Sequence, residues 1–345
     1  MYRSKHSLLI CSIILILLVN ITACRSAGPF AEGNYISKGT NTSSPAVTEA
    51  ADIPTLSVPT CITRIKDNYY IVDCYHSRVI YNDNLTDPIS DFKTLIDEES
   101  TGFKLGHTIA YDDTVMLLDD TENNRVFAFD NTGEVPVLTT VFDNIGNKPH
   151  FIVYDDATDS FYCWSSLSGE MYIFRHPKKD ATVYLTDVIT IDKLTSSYVR
   201  SFTISDGKLY FVSGLPAAES CTTPPQILIY DLKSFEELQT INVPENIAGM
   251  AQLQRIGDYW YITVSTDLYG NQDYADIYIA SSLEDIEKGA LTSIYVEYFA
   301  GGGTPYYIGC IDGKWYLTEH RLPAHAIWSF DTDESGMITA SQAIY

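Results

Sequence analysis

Positive charge is scarce in this chain. Its 22 Lys and Arg stand against 45 Asp and Glu, giving a formal net charge of −23 over 345 residues. So acidic a surface repels nucleic acid and anionic lipid headgroups, which excludes a nucleic-acid partner. It leaves cations, neutral sugars and basic partners open. Long apolar runs are also few. The one long stretch, Leu8–Val19, is broken by Ser12 and falls short of the roughly 20 apolar residues that span a bilayer. Gly301-Gly302-Gly303 is followed by neither a helix pattern nor Gly-Lys-Ser, so it is no P-loop and reads as a flexible crossing. No Ser, His, Asp order stands out for nucleophilic catalysis. The many Asp sit mostly at turns, where Asp is a turn former, so they supply no evident glycosidase carboxyl pair.

Strand formers are what the chain has in quantity. It carries 25 Tyr and 14 Phe. Their amphipathic rings suit half-exposed strands and can also stack on sugars. At the N-terminus, Arg3 and Lys5 precede the apolar run, and Ile21-Thr22-Ala23 lead into Cys24. Residues 1–23 therefore read as a targeting segment, with a membrane anchor or a leader cut elsewhere as alternatives. The apolar residue, two small residues and Cys resemble the lipobox of bacterial lipoproteins. That resemblance implies a diacylglycerol on the Cys24 thiol, cleavage before it, and a lipid-anchored protein of the cell envelope facing out of the cytoplasm. Loss of Arg3 and Lys5 with the leader would leave a charge of about −25. Residues 24–52, rich in Ser, Thr, Gly, Ala and Asn, read as a flexible linker, and residues 53–345 as one domain.

Within that domain the chain repeats itself. Each unit has an apolar strand, a turn at a short Asp/Gly/Asn pair, a second and often aromatic strand, a third, and a weaker fourth. The turns fall at Asp67-Asn68, Asp112-Asp113, Asp206-Gly207, Gly257-Asp258 and Asp312-Gly313, with a third unit starting at His150. Aligning them makes Cys61, His107, His150, Arg200, Ala251 and Tyr306 equivalent, at spacings of 46, 43, 50, 51 and 55. Four short strands at that period predict an all-β, six-bladed β-propeller. The first strand of each blade lines the axis, so these six positions are expected to ring one mouth of the central funnel. His107, His150, Arg200 and Tyr306 are its candidate ligand-binding residues. Arg200 could clamp a carboxylate or phosphate, and Tyr306 could donate a hydrogen bond or stack.

Two segments, Tyr70–Asp73 with Ser77–Ile80 and Leu117–Asp119 with Asn123–Val126, resemble NHL-repeat blades, in which a strand ending in Asp precedes Asn-His-Arg-Ile. The likeness is good in blades one and two and fades toward blade six. NHL-type folds carry both enzymes and binding modules. Some, such as the peptidyl-hydroxyglycine lyase, hold zinc on axial His residues. By that resemblance His107 and His150 become candidate Zn²⁺ ligands, N and S donors being what zinc prefers. No third His is evident, and the ring's lack of a carboxylate counts against the calcium-dependent lactonases.

Five Cys remain beyond Cys11 and Cys24, an odd number. With a two-residue turn at Asp67-Asn68, residues whose numbers sum to 135 face each other, which sets Cys61 opposite Cys74 as a candidate disulfide. If it forms, Cys61 is no ligand. His320, Arg321 and His325 are expected on a surface edge, and the loops at 216–225 and 268–276 are the longest available for recognition. The first expectation for function is a surface-anchored, non-catalytic module binding a glycan, peptide or partner protein. The alternative is a metal-dependent lyase or hydrolase at the axis.

Overall fold

The computed structural model describes residues 34–45, 53–215, 224–322 and 325–345. Cys24, proposed for lipidation, and much of the 216–225 loop lie outside these. The described residues form six antiparallel sheets, each a simple up-and-down meander. The innermost strands are Pro59–Ile65, Ile109–Tyr111, Pro149–Asp155, Tyr198–Ser205, Met250–Ile256 and Thr304–Ile311. The chain is a six-bladed β-propeller. No helix among the described residues is long and apolar enough to cross a membrane.

The middle strands explain why the blades stack. Val115–Asp120 and Ser160–Ser165 are buried at every position, because each sheet is covered on both faces by its neighbours. Leu118 and Phe127 pack toward blade one, whereas Leu117 and Val126 pack toward blade three. Each large apolar side chain so enclosed contributes roughly 1.5–3 kcal/mol. Blade one closes on blade six without a shared strand. Ile62, Ile71 and Ile80 meet Ile311, Tyr316 and Ile327, and the Tyr345 hydroxyl donates to the Leu85 and Asp87 carbonyls.

Three features differ from the sequence expectation. The blade-one turn falls at Lys66-Asp67, since Ile65 pairs with Asn68. That moves every partner in the hairpin, so Cys61 faces Val72, not Cys74, and beyond it the register slips again between Pro59 and Cys61. The predicted disulfide is therefore absent. Both are free, buried thiols, and Cys74 has left the strand for a 3-10 turn over Cys74–His76. Second, the stretch read as linker is laid against the propeller over residues 34–45. Thr40–Asn41 adds a fifth strand to the outer edge of blade two, and Ser37 bridges to Leu185 in blade three. Its polar composition hid this because an edge strand draws on backbone hydrogen bonds rather than apolar side chains. Third, the blade-two strand ends at Asp120, not Asp119, and Asp120 pairs with Arg125 as Asp73 pairs with Arg78.

Candidate functional site

In five blades the register between the innermost strand and its neighbour slips near the strand's start. The residues released are Thr60, His150, Arg200 with Ser201, Ala251 and Tyr306. A bulge re-aims an unpaired side chain and breaks the ladder locally. Here the slips sit where the strands begin at the axis. Blade two reaches the same result differently: its inner strand starts only at Ile109, leaving His107 ahead of it.

Four side chains from four blades meet as a result. The rings of His107 and His150 stack, with centroids 3.8 Å apart and planes 26° from parallel. His150 Nδ1 donates to the Arg200 carbonyl at 2.9 Å, which leaves Nε2 to accept the Tyr306 hydroxyl at 3.2 Å. These bonds fix a neutral tautomer. Burial, aided by the positive charges of His107 and Arg200, holds its pKa well below the ordinary imidazole value. His107 behaves oppositely. Burial disfavours its charged form, but the neighbouring Cys74 sulfur and the Asp119 carboxylate outweigh that and raise it to about 10. One cationic and one neutral ring can stack without like-charge repulsion.

Arg200 donates to Ser265 Oγ at 2.7 Å and lies over the Tyr198 ring at 5.7 Å. Among the described residues no carboxylate pairs with it. That is unusual in so acidic a chain, since a half-buried guanidinium ordinarily finds an anion. His320 stands beside Tyr306 at 6.0 Å between ring centroids. Burial, then Arg200 and Arg321, press its pKa down to about 4.

His107 is held from behind. Its Nδ1 donates to Thr121 Oγ1 at 2.8 Å, and Thr121 in turn donates to Asp119 Oδ2 at 2.8 Å. The buried Asp119 carboxylate also accepts the backbone N–H of His107 and of Thr108, at 2.9 and 2.6 Å. In front, His107 Nε2 faces Cys74 Sγ at 3.8 Å. Cys74 is placed by its turn, whose preceding residue Asp73 accepts from Ser57 N, His76 Nδ1 and Arg78 Nε at 2.7–2.8 Å.

Of the ring expected from the sequence, the structure gathers His107, His150, Arg200 and Tyr306. Cys61 does not join them; it is packed between blades one and two with Tyr307. Ala251 brings no functional group. The stacked imidazoles do not present two nitrogens to one point, and no three His, Cys, Asp or Glu among the described residues form a metal-holding group. Sequence reasoning missed Cys74, Asp119, Tyr198 and His320. Cys74 follows a strand, Asp119 is the penultimate residue of one, and Tyr198 opens one. His320 was placed on an edge because it follows the blade-six hairpin, yet that hairpin returns it to the axis.

A cavity of about 830 Å³ adjoins this end of the funnel. Leu56, Val58, Ile89 and Leu322 supply apolar wall, with His320 and Arg321 at one side. A smaller, polar well of about 370 Å³ opens at the other axial mouth, lined by Thr63, Thr203, Gln252, Gln254 and Cys310 among others.

No protein-family model and no curated protein matches the chain. Solved structures do. A putative 6-phosphogluconolactonase from Bacteroides uniformis ATCC 8492 superposes with a TM-score of 0.57 at 14% identity, over 84% of this chain and 86% of that one. A second, from Bacteroides fragilis NCTC 9343, gives 0.56 at 13%, over 82% and 83%. Kuenenia stuttgartiensis hydrazine synthase gives 0.53 at 13%, over 81% and 79%. At such identities the likeness shows the β-propeller architecture and nothing finer.

Proposed function

We infer that this protein is a lipid-anchored, extracytoplasmic recognition module that binds the acidic group of a small molecule, glycan or peptide at the axial funnel. The observation that carries this reading is Arg200. Its guanidinium stands at the axis with a hydroxyl and an aromatic face for company and no carboxylate among the described residues. A planar donor fork in a partly desolvated site is suited to carboxylate or phosphate. The half-buried Tyr198 offers a face for the rest of a ligand, and the neighbouring cavity has room for an apolar portion. The anchor rests on the lipobox-like Ile21–Cys24. The Asp73–Arg78 and Asp120–Arg125 pairs support the NHL likeness of blades one and two. The alternative, a metal-dependent lyase or hydrolase, gains no support from two imidazoles that stack.

Calorimetric titration with succinate and with inorganic phosphate tests the reading. Binding by the wild-type chain that Arg200→Gln weakens at least tenfold is the expected result. Absence of binding for both anions, or equal affinity in the variant, overturns it.

A further inference from the structure

The His107 side chain is engaged on both sides in a way that anion binding does not require. One nitrogen leans on a hydroxyl and, through it, on a fully buried carboxylate. The other faces a cysteine sulfur at 3.8 Å, within hydrogen-bond range for sulfur. A nucleophile, a base and a group that orients the base is the arrangement by which side chains become covalent catalysts. Among the described residues the other buried cysteines lack it. Cys61 lies against Tyr307, and Cys163 is enclosed in the apolar layer between blades two and three.

We propose that Cys74, His107, Thr121 and Asp119 form a thiol nucleophile at the axis that cleaves small esters bearing a carboxylate or phosphate. This deepens the recognition reading and rests on it, since Arg200 would hold the substrate's anion. The thiolate Sγ attacks the ester carbonyl carbon and the carbon–oxygen bond to the alcohol breaks. The departing oxygen takes the proton from His107 Nε2. His107 then accepts a proton from water as the water oxygen attacks the thioester. The carbon–sulfur bond breaks, the acid leaves, and the thiolate is restored. Water is the sole co-reactant. Cys74 performs the chemistry and His107 moves the proton; Thr121 and Asp119 are positioning residues.

Two probes test this on the full chain. The first is a comparison of iodoacetate with iodoacetamide, alkylated cysteines being read by peptide mass spectrometry. Cys310, exposed at the opposite mouth, is the internal reference. Cys74 is expected to react with iodoacetate in preference to iodoacetamide, relative to Cys310. That preference should vanish in Arg200→Gln, and His107→Ala should slow alkylation of Cys74 tenfold or more without changing Cys310. The second is release of nitrophenolate from the mono-nitrophenyl ester of succinate. It should be lost in Cys74→Ser and retained in Cys310→Ser. A Cys74 that stays unlabelled in the folded chain, a labelling rate indifferent to His107, or ester cleavage indifferent to Cys74 overturns the proposal. Succinate affinity of the wild-type chain reports separately on recognition, so loss of the thiol chemistry with binding intact is distinguishable from loss of both. Thr121→Val provides a variant that keeps the shape of the site. Turnover should fall while succinate affinity holds, a split that a purely structural Thr121 would not give.

Discussion

Replacing Asp119 by Ala tests how the axial site is held in shape. The carboxylate is fully buried and accepts four hydrogen bonds, from His107 N, Thr108 N, Thr108 Oγ1 and Thr121 Oγ1. Thr121 has a second acceptor in the Pro149 carbonyl at 2.7 Å, so its hydroxyl can redirect. The two backbone N–H groups cannot. A buried donor left without an acceptor costs about 1–3 kcal/mol, so two of them amount to about 4 kcal/mol at mid-range. With a urea m-value of about 3 kcal/mol/M, the unfolding midpoint should drop by roughly 1.3 M. Asp119→Asn keeps one acceptor oxygen for the Thr108 pair and should lose roughly half as much. Urea titrations followed by tryptophan fluorescence and by circular dichroism measure both variants. A midpoint for Asp119→Ala within about 0.3 M of wild type would refute the argument, because those donors would then have found other acceptors.

Three further outcomes follow from the same structure. In the His176–Asp112 pair, 2.7 Å apart, burial opposes both charges, yet the contact raises the His176 pKa and, with backbone donors, lowers that of Asp112. The raised histidine stabilises fully below its unfolded value near 6.5 and stops doing so as pH rises through its folded pKa; the lowered Asp112 stabilises above its unfolded value near 3.8. Asp112→Asn should therefore lower the melting temperature more at pH 5 than at pH 9, and equal losses would remove the pair from the account. Gly336 has φ +92°, and a Cβ there would meet the Ile256 carbonyl oxygen at 2.1 Å, so Gly336→Ala should cost about 3 kcal/mol or more by denaturant titration. Tyr306→Phe removes the donor to the buried His150 Nε2 and should destabilise by about 1–3 kcal/mol by the same assay.

The blade count and the order of strands were legible because two-residue turns such as Asp206-Gly207 and Asp312-Gly313 require positive φ and advertise it in composition. The axial residues were legible wherever alignment on those turns carried through to the strand's start, as at His150, Arg200 and Tyr306. It failed at blade one. Lys66 adopts the positive φ there, which moves the turn by one residue, and Thr60 rather than Cys61 becomes the released position. A bulge is set by packing at the axis and leaves no mark in a single sequence. Cys74 was beyond reach for a related reason: it joins His107 only because a 3-10 turn follows Asp73. His320 arrives from a different blade and a second strand, a neighbour that only tertiary closure provides.

The strand added by Thr40–Asn41 bears on how the protein would sit in the envelope. With an acyl group on Cys24, only residues 25–33 separate the lipid from the segment that docks on the propeller. Fully extended, so short a piece reaches about 30 Å. Under that anchor the outer edges of blades two and three, where Ser37 meets Leu185, would be held within that reach of the bilayer. Attachment at that rim would leave both axial openings clear of the tether, and a ligand would reach either one without passing the anchored edge.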